Sequence, residues 1–268
     1  MPSTDGFVEA GGHRLESVVI AAHQVQRPSL VFLHEGLGSI SLWRDFPQRV
    51  AQAAGCRTLV YSRYGYGASD VMAEPRQPDY MHREALAVLP ELLAHFGIER
   101  PVLVGHSDGA SIALIHAGRH PCAGVVVLAP HLFVEEMAVQ GIEATVKAFE
   151  TTPLADRLAR HHRDARRTFY GWADIWRRKD FRAWNIEDTL PGIACPILAI
   201  QGEDDEYATM AQLESIAARA AKAPAVELLK LADCRHSPHR DQPEAVQNAI
   251  VRFVDGLPCA ARPGPHAC

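Results

Sequence analysis

Runs of four to seven largely apolar residues recur along this chain, each followed by a stretch with helical spacing. They fall at 30–33, 58–61, 101–104, 124–129, 195–200 and 225–231. A run with no polar alternation cannot belong to a strand with one wet face. It needs cover on both sides, and a parallel sheet receives that cover from its crossover helices. Helical spacing appears at 43–54, 82–96, 110–119, 210–221 and 243–256, and another strand is read at 14–22. The alternation predicts an α/β fold, with a mostly parallel central sheet and helices on both faces. Ligands then bind at the carboxyl ends of the strands.

Between 130 and 191 the alternation stops. This stretch is helical and polar, yet it carries Phe149, Phe169, Tyr170, Trp172, Trp176, Phe181 and Trp184. It reads either as a helical excursion burying its own aromatics or as a lid over a substrate pocket, with Trp172 and Trp176 as candidate substrate contacts. Nine Arg/Lys and three Asp lie between 157 and 182. These read as a solvated helix face, or as attraction for an anionic substrate such as a carboxylate or acyl-CoA. His161 and His162 point about 100° apart on a helix and cannot share one metal ion. The expected organisation is a first core part at 1–130, a helical lid at 131–191, a second core part at 192–257 and a flexible tail at 258–268.

A length of 268 residues, 47% hydrophobic, suits one sizeable core with an insertion. A net charge of −5 argues against a nucleic-acid partner. No window reaches the roughly 18 apolar residues of a membrane span. The first residues lack a basic segment followed by an apolar one, so the expected compartment is the cytoplasm. The six cysteines, at 56, 122, 195, 234, 259 and 268, show no metal-ligand spacing and are expected as free thiols, mostly buried. A small-molecule substrate is the expected partner, and a homo-oligomer stays open.

The chemistry concentrates at Gly105-His106-Ser107-Asp108-Gly109, directly after the run at 101–104. This is G-x-S-x-G at a strand end, a sharp turn that lifts a serine hydroxyl above the sheet. A serine hydroxyl is a poor nucleophile near neutral pH and needs a base oriented by a carboxylate. Residues 200–206, after one strand, are dense in carboxylates, and 231–243, after the last strand, supply histidines.

Five segments stand in order at strand ends. They are Leu33-His34-Glu35-Gly36-Leu37-Gly38-Ser39, Ser62-Arg63-Tyr64-Gly65-Tyr66-Gly67-Ala68-Ser69, the serine turn, Gln201-Gly202-Glu203-Asp204-Asp205 and His236-Ser237-Pro238-His239-Arg240-Asp241-Gln242-Pro243. Together, over residues 7–256, they resemble the α/β-hydrolase superfamily. In pattern they stand near its small carboxylesterases and the C–C bond hydrolases of aromatic degradation. The Gly-x-Ser-Asp-Gly form is also similar to biphenyl-hydrolase-like aminoacyl esterases. The resemblance implies an α/β-hydrolase fold with a helical lid after strand 6. It makes Ser107 the nucleophile, Asp205 the acid and His236 the base. Asp204 is the close competitor of Asp205 by one residue of loop slip, and His239 is second to His236. It assigns the oxyanion hole to the amides of Asp108 and Gly36, with Glu35 standing where the family has glycine. Glu35 and Asp108 read as structural carboxylates held by loop amides or Arg63, or as groups that bind a substrate ammonium or hydroxyl. His34 is a further candidate substrate contact.

The implied activity is serine hydrolysis of a small ester, lactone or thioester, with no cofactor and no metal. One alternative is C–C cleavage of a ring-cleavage diketone. The other is a triad-bearing small-molecule receptor.

Overall fold

The computed structural model describes residues 3–22, 24 and 27–257. The tail at 258–268, with Cys259 and Cys268, lies outside the described residues. The chain order is β1 (Ser3–Ala10), β2 (His13–Ile20), β3 (Leu30–Leu33), α1 (Phe46–Ala54) and β4 (Thr58–Tyr61), then α2 (Tyr80–Arg83), α3 (Leu89–His95), β5 (Val102–His106), α4 (Asp108–Ala117) and β6 (Gly124–Leu128). After these come α5 (Glu136–Thr151), α6 (Leu154–Ala159), α7 (Ala165–Arg177), β7 (Ile197–Gly202), α8 (Ala211–Arg219), β8 (Val226–Leu231), α9 (Pro238–Asp241) and α10 (Pro243–Asp255).

Eight strands form one sheet in the order β1-β2-β4-β3-β5-β6-β7-β8. The pairs from β4 to β8 are parallel, while β1 and β2 are antiparallel to their neighbours. Every residue of β3, β4, β5, β6 and β7 is buried, as their apolar runs require. Two cores result. One lies beneath α1 and α10 on one face, and the other beneath α3, α4 and α8 on the opposite face.

Three elements depart from the sequence reading. Strand β1 was not expected, because Ser3 to Glu9 holds only Phe7 and Val8 as large apolar groups; it forms as an edge strand paired along its length with β2. The helix expected at 82–96 begins at Tyr80 and widens into a π-helical stretch over Glu84–Val88. Pro90 follows at once, and its missing N–H cannot serve the regular ladder. Helix α9 lies in what reads as a loop.

Between β6 and β7 the chain runs through α5, α6 and α7 and two short 3-10 turns. The two ends of this segment meet. Phe133 bridges Asn185, and the Ile186 N–H donates to the Leu132 carbonyl at 2.7 Å. Its aromatics do bury one another: Trp176 packs on Phe181 and Trp184, and Phe169 stacks on Phe149. The arginines of this segment pair with acids at its surface, among them Arg177 with Glu143 and Arg178 with Asp180.

Packing is very close where α4 leaves the sheet. A Cβ on Gly109 would lie 2.0 Å from the Leu33 carbonyl oxygen, and one on Gly105 would lie 2.2 Å from the Gly109 carbonyl oxygen. Both obstacles are backbone, so neither can swing aside. Gly109→Ala is expected to destabilise the fold by about 2 kcal/mol or more, read by urea denaturation. Gly256→Ala, whose Cβ would meet nothing closer than 3.6 Å, should change stability far less.

Candidate active site

Parallel strands deliver their following loops to one edge of the sheet, and that edge carries the expected residues. Ser107 follows β5, Asp205 follows β7, His236 follows β8, and the His34–Gly36 loop follows β3. Ser107 sits at φ 52° and ψ −118°, the strained turn that the flanking glycines make room for. Its Oγ lies 3.0 Å from His236 Nε2. On the other side of the ring, Nδ1 lies 2.8 Å from Asp205 Oδ1. A carboxylate only accepts, so Nδ1 carries the proton and Nε2 is left to accept from the serine.

Asp205 Oδ1 also accepts from the amides of Tyr207 (2.9 Å) and Ala208 (3.2 Å). Burial alone would raise its carboxyl. The hydrogen bond and charge of His236 outweigh that and hold it below the usual carboxylate range. Asp204 is exposed. The backbone of His236 is gripped from both sides: its N–H donates to Glu206 at 3.1 Å, and its carbonyl accepts from His106 Nε2 at 2.7 Å. His239 instead packs against Trp43, Phe46 and His106 and does not line the cavity.

A cavity of about 300 Å³ opens above Ser107. Gly36, Asp108, Glu35, Trp172 and Trp176 all line it. Among the described residues, the amides of Gly36 and Asp108 donate to no other group. His34 does not line the cavity. Its ring is buried, with Nδ1 donating to the Glu35 carbonyl and Nε2 accepting from the Arg63 amide, so its place is in the loop scaffold. Arg63 serves the same loop by donating to the carbonyls of His34 and Glu35.

The two unusual carboxyls have different partners. Glu35 lies 3.6 Å from His106 Nδ1 and 3.4 Å from Arg240 Nη2. Burial alone would raise it, but His106 and then Arg240 hold it well below the usual range. Asp108 is fully buried. Its Oδ2 accepts from the Tyr80 hydroxyl at 2.7 Å, with Arg63 at 3.7 Å, while its Oδ1 has no partner. None of the nine basic residues between 157 and 182 lines the cavity. They stand at the surface of the helical segment, apart from the cavity wall. The rings of His161 and His162 also part: the first meets Ser41, and the second bridges the Gly67 amide and the Leu37 carbonyl.

Sequence reasoning missed His131, Tyr80 and Tyr207. His131 stands just past β6, and a strand end was the available signal. Its ring lines the cavity, packs edge-on against Trp176 and lies 5.5 Å from His236. Burial, then the charge of His236, pushes it down to about 3. Tyr207 packs on the His236 ring and shares a hydrogen bond with Thr145 of α5. No local pattern marks Tyr80.

Comparison with known proteins agrees with this fold. Residues 30–249 match the alpha/beta hydrolase family. The chain belongs to that family. An epoxide hydrolase B from Mycobacterium tuberculosis is 33% identical over 128 residues, 47% of this chain and 35% of that protein. A proline iminopeptidase from Lactobacillus delbrueckii subsp. bulgaricus is 26% identical over 153 residues, 52% of each. The chain thus spans about half or less of the length of these relatives. The crystal structure of an enol-lactonase from Burkholderia xenovorans superposes with a TM-score of 0.72 at 20% identity, covering 93% of this chain and all of that one. At that identity the likeness concerns the fold. As an α/β hydrolase, the protein has no helix among its described residues long and apolar enough to cross a membrane.

Five buried histidines lie below their ordinary range, chiefly through burial: His162 below, His34 and His239 well below, His116 down to about 4 and His131 to about 3. The unfolded chain protonates these rings as pH drops below about 6.5, and the folded chain does not. Stability therefore falls with pH, by up to about 1.4 kcal/mol per pH unit for each ring. The buried carboxyl of Glu84, raised by burial, works the other way but is outnumbered. Urea midpoints should drop between pH 6.5 and 4.5; a flat profile would show that these rings find partners for their protons.

Proposed function

We infer that this α/β hydrolase is a serine hydrolase of small carboxylic esters, lactones or thioesters, working through an acyl-enzyme. The observation that carries the reading is the hydrogen-bonded line Ser107 Oγ, His236 Nε2 and Nδ1, Asp205 Oδ1, at 3.0 and 2.8 Å, opening on a cavity. His236 takes the serine proton as Ser107 attacks the carbonyl. The free amides of Gly36 and Asp108 receive the oxyanion. Protonated His236 then delivers its proton to the leaving group, and water activated by the same ring releases the acid. Asp205 keeps the ring in the tautomer these steps need.

The cavity's charge narrows the substrate. Glu35, Asp108 and Glu206 line it with Arg240 as the cation, and Arg240 faces Glu35. A substrate carboxylate would meet like charge there. Asp108 Oδ1, buried at the wall without a partner, adds negative potential that favours a neutral or ammonium-bearing acyl group. This disfavours the ring-cleavage diketone reading, whose substrate would bring a carboxylate into the cavity.

Ser107→Ala is expected to lose at least about a thousandfold of p-nitrophenyl butyrate turnover. A fluorophosphonate should label the native protein and not the variant. Undiminished turnover in Ser107→Ala would refute the assignment, and labelling without turnover of any ester would favour a receptor. Among matched esters, kcat/KM for a neutral or ammonium-bearing acyl group should exceed that for a carboxylate-bearing one by about tenfold or more, roughly 1.4 kcal/mol. Asp108→Asn should narrow that ratio. A preference for the carboxylate would restore the diketone reading.

A further inference from the structure

At the opposite end of the sheet from Ser107, two thiols meet. Cys122 precedes β6 and Cys195 precedes β7, and these strands are parallel neighbours with Val125 level with Ile197. The Val125 N–H donates to the Pro196 carbonyl at 3.0 Å, so the two approaches to the sheet are tied together. Both cysteines are buried in the same core and line the same cavity. The thiols also border a second cavity of about 250 Å³, lined by Arg100, Arg119 and His120 and by no acid. Neither arginine has an ion-pair partner among the described residues.

We propose that Cys122 and Cys195 form a dithiol site that reacts with small anionic disulfides, entering through this basic cavity, to close an intrachain disulfide. The arginines would attract the carboxylates of such a molecule, and the thiols lie at the cavity wall. Cys195 is the attacking sulfur. Its neighbour Cys122 and Arg100 favour its thiolate, while Cys122 itself is raised by Cys195 and by burial. The Cys195 thiolate attacks one sulfur of the small disulfide, forms a mixed disulfide and expels one thiolate. Cys122 then gives up its proton, attacks the Cys195 sulfur and expels the second. Two protein thiols are oxidised and one small disulfide is reduced to two thiols.

The position gives the bond a structural effect. It closes a ring over residues 123–194, which hold β6 and the whole helical segment above the cavity at Ser107. Cross-linking the base of that segment restricts the unfolded chain, so the oxidised form should be more thermostable.

The test incubates the fully reduced protein with glutathione disulfide and maps its peptides without reduction. The expected product links Cys122 to Cys195, is reversed by dithiothreitol, and unfolds several degrees higher than the reduced form. Separate mixed disulfides on both residues, or links from either to Cys56 or Cys234, would overturn the proposal. Phenylarsine oxide, which bridges two adjacent thiols, gives a second reading on the unaltered protein. One equivalent should protect Cys122 and Cys195 together from alkylation, and their independent alkylation would also overturn it. Cys122→Ser should lose both responses and retain alkylation at Cys195.

Discussion

Strand β5 becomes helix α4 across one residue, and the site is arranged around that turn. Ser107 holds φ at 52°, a conformation that costs a residue with a side chain about 1–3 kcal/mol. Its backbone is pinned on both sides. The N–H donates to the Leu128 carbonyl, and the carbonyl accepts from the amides of Ala110 and Ser111. The turn aims the serine oxygen away from the sheet and leaves the Asp108 amide at the first turn of α4, beside the cavity, where the helix dipole adds positive potential. It also demands that nothing stand at 105 and 109. Without side chains there, α4 settles against the end of β3 and fixes where the loop carrying Gly36 begins. Serine, helix and oxyanion loop are thus positioned by one contact.

The histidines around this turn divide by partner. His236 has a carboxylate on Nδ1 and its backbone clamped by His106 and Glu206, so it can gain and lose a proton without moving. His131 and His239 have burial and no acid in contact, which keeps them uncharged. A second positive ring beside His236 would oppose its protonation. With His131 and His239 uncharged, neither of those rings opposes a proton on His236, and Asp205 already faces it.

Much of this was legible in the sequence for one physical reason. In a parallel sheet the strands are buried on both faces, so they write themselves as apolar runs, and the functional loops must follow them. Ser107, Asp205, His236 and Gly36 could each be placed by counting from a strand end. Strand β1 could not, because an edge strand needs few apolar residues. The choice of Asp205 over Asp204 rests on the family resemblance alone, since it turns on which of two adjacent side chains the loop sends inward. The direction of the basic residues between 157 and 182 depends on how three helices pack, and no local pattern records that. His34 misled for a similar reason: a histidine in a functional loop looks like a substrate contact until its two nitrogens are found spent on backbone.

The helical segment and the loop carrying Gly36 are mechanically one unit. Trp172 packs so closely on Gly36 that an added Cβ would stand 2.1 Å from its Nε1. His162 ties the Leu37 carbonyl to the Gly67 amide, and Tyr207, beside His236, is bonded to Thr145 of α5. The segment therefore touches the donor loop and the base as well as the cavity roof. A substitution that shifts α7 moves Trp172, and Trp172 bears on the amide that would hold the oxyanion. Any ligand accommodated by displacing α7 would also shift the Gly36 loop, so the close packing of Trp172 limits ligand size more tightly than the volume of the cavity alone.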